Sequence, residues 1–264
     1  MEDAATLRLG IFLGLFALLA AAEALLPRRD RRMGRGRRWA TNWGLVLIDT
    51  LTLRLVAIAV PLLAVGAALD AAARGWGLFN RIDWPVALEV LLSVLILDFL
   101  IWLQHVVTHK VPLLWRLHQV HHADPDFDVT TAIRFHPVEI ALSMGLKIGA
   151  VYLLGPAALA VILFEILLNG MAMFNHANLA LPRWLDRWLR LVVVTPDMHR
   201  VHHSVDRDEH DTNYGFSLSI WDRLFGTYRP QPRDGHEGMR IGLDIAQSHP
   251  EQLGWSLARP FRKQ

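Results

Sequence analysis

Residues 5–26, ATLRLGIFLGLFALLAAAEALL, are apolar throughout except for Arg8 and Glu23. A helix crosses the hydrocarbon core of a bilayer with about 20 such residues, so this run commits the chain to a membrane helix. Ala22-Glu23-Ala24 fits the A-x-A pattern of a signal-peptide cleavage site, but Glu2 and Asp3 precede the run and seven arginines follow it, which favours a retained span. Further apolar runs cover 43–69 and 85–104. A pair at 137–154 and 157–174 is split by Gly155-Pro156 and reads as two short spans or one re-entrant hairpin. With 53% hydrophobic residues, the 264-residue chain is too apolar for an ordinary soluble domain.

The arginines orient these runs. PRRDRRMGRGRR carries Arg28, Arg29, Arg31, Arg32, Arg35, Arg37 and Arg38, and such loops stay in the cytoplasm. The second run then leads out, and the third returns and ends beside His105. If the pair goes out and back, His176 arrives on the same face, and residues 177–264 are cytoplasmic. The formal net charge of +2 gives no nucleic-acid footprint. The arginine loop reads first as a topology signal, and secondly as a place for a partner protein or anionic lipid to dock.

The absence of cysteine excludes disulfides and Cys-ligated zinc or iron–sulfur sites. The 13 histidines are unevenly spread. HVVTH places His105 and His109 at i and i+4, on one helix face. HQVHH supplies His118, His121 and His122, and HRVHH supplies His199, His202 and His203. In His-x-x-His-His the three imidazoles project within about 100° of arc, so one motif can feed two neighbouring metal ions. His176 (FNHAN) sits at the foot of an apolar run between Asn175 and Asn178, and His136 (RFHPVE) stands alone. His210, His236 and His249 read as surface residues. Asp124, Asp126, Asp128, Glu139 and Asp197 have no recognisable ligand spacing. The pattern is that of a histidine-rich dinuclear transition-metal site at a membrane surface. Imidazole suits zinc, copper, iron and nickel alike. Asp98, seven residues before His105, is placed to accept from an imidazole N–H or to form a polar pair between helices.

The order H-x3-H, H-x2-H-H, R-F-H-P-x-E, N-H-x-N, H-x2-H-H resembles the fatty acid hydroxylase / sterol desaturase superfamily. So does the stretch HRVHHSVDRDEHDTNYGFSLSIWDRLFGTYRP. The likeness covers roughly residues 85–230. It implies an all-α fold: a polytopic membrane helix bundle of about four transmembrane helices, or three plus a re-entrant hairpin, capped by a cytoplasmic helical metal-binding domain. It also implies a non-haem di-iron centre, O2 as co-substrate, and hydroxylation or desaturation of a lipid C–H bond in a sterol, fatty acid or related lipid. Carried over position by position, the ligands are His105, His109, His118, His121, His122, His176, His199, His202 and His203. His136, Asp98, Asn175 and Asp222 are candidates for a further ligand or a supporting contact, with Asp222 expected to bond a ligand histidine. Some family members carry another histidine four positions before the one at 176. Ala172 stands there in this chain, which leaves His136 or water to complete one ion.

The expected organisation is a two-span anchor over 1–84, a histidine-box catalytic region over 85–230 and a peripheral tail over 231–264. No G-x-G-x-x-G opens a strand–helix unit, so electrons are expected from a separate donor of ferredoxin or cytochrome type. The other partners are the lipid substrate and the bilayer, with no nucleic acid. The expected location is the bacterial inner membrane, with the metal site on its cytoplasmic face. Two other readings use the same ligands. One is a zinc-dependent membrane hydrolase, active without reductant. The other is a metal transporter or sensor, which would want ligands near the membrane midplane rather than at span ends.

Overall fold

The computed structural model describes residues 2–60, 63–245 and 247–262. They form helices α1 (Glu2–Leu25), α2 (Arg35–Ala59), α3 (Leu63–Arg74), α4 (Val86–Lys110), α5 (Pro112–His122), α6 (Pro137–Leu154) and α7 (Ala158–His176). Short helices follow: α8 (Arg183–Leu189), α9 (Pro196–His202), α10 (Arg207–His210), α11 (Ile220–Leu224), α12 (Gly235–Gly238) and α13 (Leu253–Ala258). Among the described residues there is no sheet, only isolated β-bridges. Five helical stretches are long and apolar enough to cross a membrane: Thr6–Leu25, Arg35–Arg81, Val86–Lys110, Pro137–Leu154 and Ala158–His176. Leu18, Leu47, Leu55, Ile58 and Leu153 project outward from them, the surface a bilayer would cover.

Two details differ from the expected spans. The run over 43–69 is divided between α2 and α3, and its residues 61–62 lie outside the described residues. Ala64, Ala67 and Ala68 put the small-residue face of α3 against Met144, Val151 and Val161 of α6 and α7. The pair at 137–174 is not a tight hairpin. α6 packs chiefly on α2 and α3, while α7 packs on α4 and α1. The connecting turn needs Gly155 at φ +64 as the C-cap of α6, and a Cβ on Gly77 would lie 2.2 Å from the Gly155 nitrogen.

Glu23 is fully buried. It accepts hydrogen bonds from the backbone N–H of Val129 at 3.0 Å and of Asn178 at 3.1 Å, which builds α1 into the fold. The arginine loop lies at the same end of the bundle as the histidine motifs. Asp126 accepts from the N–H groups of Arg32 and Met33, and buried Arg38 pairs with Asp124 at 2.8 Å and with Asp128. The acidic run DPDFD therefore serves arginine, backbone and the side chains of Trp39, Asn42, Thr130 and Thr131, and none of its carboxylates belongs to the histidine groups.

The segment after 231 is packed in, although a peripheral tail is the expectation from its turn-rich sequence. Met239 and Ile241 cluster with Phe127, Trp255 is buried, and Arg134 donates to Pro250 O and Ser256 Oγ, both at 2.8 Å.

Candidate metal centre

Three short-range signals set the histidine backbone. α5 begins at Pro112, and α9 at Pro196 behind Thr195, whose Oγ1 accepts from Met198 N. α4 and α7 end at the site: His109 and His176 come from the last turns of these long helices, and His105 from one turn before His109. The expected ligands converge into two buried groups. His105, His109, His118, His122 and His202 form one, and His121, His176, His199 and His203 form the other. Within each group the candidate ligand atoms lie within 4.8 Å of one another. The groups adjoin, with ring centroids 4.5 Å apart between His122 and His203 and 5.1 Å between His118 and His121.

The partition follows helix geometry. Each i, i+4 pair (105 and 109, 118 and 122, 199 and 203) stays within one group. The remaining histidine of each His-x-x-His-His, His121 or His202, belongs to the other group. Adjacent residues diverge by about 100° around a helix, so one motif serves both groups.

The nitrogens fit metal. His105 Nε2 and His118 Nε2 lie 3.0 Å apart, and His176 Nε2 lies 3.1–3.2 Å from the Nε2 atoms of His121, His199 and His203. Ligands held about 2.0–2.1 Å from a common ion are about 3 Å apart. Among the described residues, buried His109 Nε2, both ring nitrogens of His122 and His202 Nε2 have no hydrogen-bond partner, a condition otherwise costly.

The far ring nitrogens are held so that Nε2 faces inward. His105 Nδ1–H donates to Tyr214 O, His176 Nδ1–H to Ala172 O and His202 Nδ1–H to Thr212 O, each at 2.7 Å. His121 Nδ1–H donates to Arg134 O at 3.3 Å, and His118 Nδ1–H to Glu139 Oε1 at 2.6 Å. His109 Nδ1 lies 3.4 Å from Asp211 Oδ1. The hydrogen bonds from His105, His118, His121, His176 and His202 fix the tautomer and raise the basicity of the inward nitrogen, whereas the His109–Asp211 approach is not a hydrogen bond. Glu139 and Asp211 gave no ligand-like spacing in the sequence, because their partners lie on other elements.

The remaining candidates sit elsewhere. His136 caps α6, accepting from Val138 N on Nδ1 while Nε2–H donates to Leu257 O at 3.3 Å, so it does not stand in for the histidine absent at position 172. Asp98 accepts from Trp221 Nε1 at 2.9 Å and Leu218 N at 3.3 Å and reaches no imidazole. Asn175 donates to Phe216 O at 2.7 Å.

Asp222 also bonds no histidine. It accepts from Trp102 Nε1, Thr227 Oγ1 and the N–H groups of Tyr214 and Gly215. It thereby fixes the Asn213-Tyr214-Gly215 turn that offers its carbonyl to His105. Asn213 takes the left-handed φ of 52°. A Cβ on Gly215 would lie 2.8–3.0 Å from Val194, Leu218 O and Asp222, which explains glycine there. Gly215→Ala should therefore weaken metal retention, measured as metal lost on dialysis against chelator.

Two histidines expected at the surface are not exposed. His236 is buried, and burial pushes its imidazole down to about 3. His210 is half-buried and stacks on Trp115 at 5.2 Å. His249 is exposed.

Burial, reinforced by neighbouring imidazoles, holds His121, His122, His199, His202 and His203 well below the ordinary 6.5. In the metal-free fold these rings stay neutral, while the unfolded chain protonates below about 6.5. The unfolded state then binds more protons, so stability is lost as pH falls, by up to about 1.4 kcal/mol per histidine per unit. The apparent Tm of chelator-stripped protein should hold above about pH 7 and drop steeply between about 6.5 and 5.5. A flat profile would contradict the burial of neutral imidazoles.

A cavity of about 330 Å³ adjoins the first group. His105, His118, Phe135, Glu139 and Phe216 line one end, and it extends between α6 and α7.

The sequence model of the family described as fatty acid hydroxylase matches residues 90–227, just over half of the chain. The chain belongs to the fatty acid hydroxylase family. This fatty acid hydroxylase family member is similar to ornithine lipid hydroxylase OlsE of Rhizobium tropici, 31% identical over 182 residues, which are 69% of this chain and 54% of that protein. It is also similar to human alkylglycerol monooxygenase, 32% identical over 159 residues (60% of this chain, 34% of that protein). Human cholesterol 25-hydroxylase is 28% identical over 143 residues (53% and 51%). The chain thus spans about half or less of these relatives. No solved structure matches it.

Proposed function

We propose that this protein uses O2 to hydroxylate or desaturate a C–H bond of a lipid at a di-iron centre held by His105, His109, His118, His122 and His202 on one side and His121, His176, His199 and His203 on the other. The observation that carries this reading is the convergence of nine buried imidazoles into two adjoining groups beside a cavity between span-length helices. Bound iron supplies redox chemistry that zinc cannot. The chain's residues do the rest: Glu139, Tyr214 and Thr212 orient imidazoles, and Phe135 and Phe216 keep the cavity end apolar. Hydroxylase and monooxygenase names among the relatives support oxidation over hydrolysis.

In this reading residues 1–84 anchor the catalytic region of 85–230. The arginine loop packs at the metal end of the bundle, which supports reading that end as cytoplasmic in a bacterial inner-membrane protein. A ferredoxin- or cytochrome-type protein delivers electrons there.

The test supplies iron-loaded protein with membrane lipid extract, a reducing system and 18O2. A product carrying 18O, or a new double bond formed only with O2 and reductant, is expected. Turnover of lipid without O2 and reductant would replace this reading with a metal-dependent hydrolase.

A further inference from the structure

The cavity beside the histidines has a second, charged end. Arg8 of α1, Lys147 of α6 and Glu165 of α7 line it, with Asn169. Glu165 pairs with Arg8, and its Oε1 accepts from Lys147 Nζ at 3.2 Å. Asn169 Nδ2 is engaged by Glu165 O at 2.8 Å. Two cations therefore meet one carboxylate, in a lining that includes Leu53, Leu63, Ile101 and Leu168 and the Ser143–Gln104 pair. The other acidic group lining the cavity, Glu139, is bonded to His118 at the metal end.

The side chains of Lys147 and Glu165 are only 11% and 7% exposed, and that of Arg8 is 35% exposed. A surplus positive charge inside a span-length bundle is expensive unless a partner neutralises it. Arg8 and Lys147 also keep N–H donors that Glu165 does not occupy. Lys147 lies eight residues beyond Glu139 on α6, which sets the charged end about 12 Å along the helix from the metal end.

We infer that Arg8 and Lys147 hold the anionic group of an amphiphile, a carboxylate or a phosphate, whose apolar chain runs toward His105 and His118. The carbon presented to the metal end is then remote from the anionic group, not adjacent to it. The regiochemical part rests on the lipid oxidation proposed above; the binding part does not.

The test measures equilibrium binding of oleate, oleyl phosphate and oleyl alcohol to the full chain in detergent micelles. The wild type should bind one of the two anions at least about tenfold tighter than the alcohol, and the tighter anion identifies the head group. Lys147→Met should remove that preference, Arg8→Met should reduce it, and Glu165→Gln, which adds to the positive surplus, should increase it. General damage to the cavity would not move these variants in opposite directions. Equal binding of all three ligands to the wild type, or a loss of preference in Glu165→Gln as in Lys147→Met, overturns the inference. If the preferences shift as expected but no lipid is oxidised, the proposed function fails and the anion site stands. If lipid is oxidised without any anion preference, the reverse holds.

Discussion

Arg134→Ala should lower the stability of this protein by roughly 3–5 kcal/mol, from the hydrogen bonds it strands. Arg134 is fully buried. Its Nε donates to Val120 O at 2.7 Å, Nη1 to Asn42 Oδ1 at 2.8 Å, and Nη2 to Pro250 O and Ser256 Oγ at 2.8 Å. One guanidinium thus joins α5, α2 and the C-terminal segment, next to a backbone carbonyl that accepts from His121. Truncation would leave those acceptors in a buried site with no donor. Arg134→Lys should recover little, because a single ammonium cannot reproduce the planar fork. Thermal unfolding in detergent, followed by tryptophan fluorescence, checks this. A Tm within a few degrees of wild type for Arg134→Ala would show that the clamp is dispensable.

Glu139→Gln should reduce metal affinity and turnover about 10- to 100-fold, the usual cost of losing a carboxylate behind a ligand histidine. The amide oxygen introduced by that substitution could still accept from His118 Nδ1–H, so the imidazole keeps its orientation and loses only the charge that makes Nε2 a stronger donor. Metal retention against a graded chelator series separates the two contributions. Glu139→Gln should sit between wild type and Glu139→Ala. Identical behaviour of Glu139→Gln and wild type would reduce Glu139 to an orienting group.

Much of this was legible in the sequence. The apolar runs announced helices because span length leaves few alternatives. All nine expected ligands lie in the two groups because i, i+3 and i+4 spacing is a local property that folding preserves. What the sequence hid is non-local. Glu139 reaches His118 from another helix, and Asp211 reaches His109 across 102 positions. Asp98 had two open readings, and the structure decides between them. Its two-turn spacing from His105 allowed a shared target or a polar pair with another element, and it forms the pair, with Leu218 N–H and with Trp221 Nε1–H of α11. The break between α2 and α3 was likewise hidden, because both halves are apolar. The charge balance of the cavity could not be read at all until α1, α6 and α7 were set side by side.

The most direct test of the central claim is the metal content of the full chain purified in detergent, after expression with iron in excess and zinc limited. The two histidine groups predict about two irons per chain. His176→Ala, which strips one of only four ligands from the second group, should leave about one. Zinc in both positions of the wild type with iron in excess, or a single ion per chain, would contradict a di-iron centre and remove the oxidative mechanism with it.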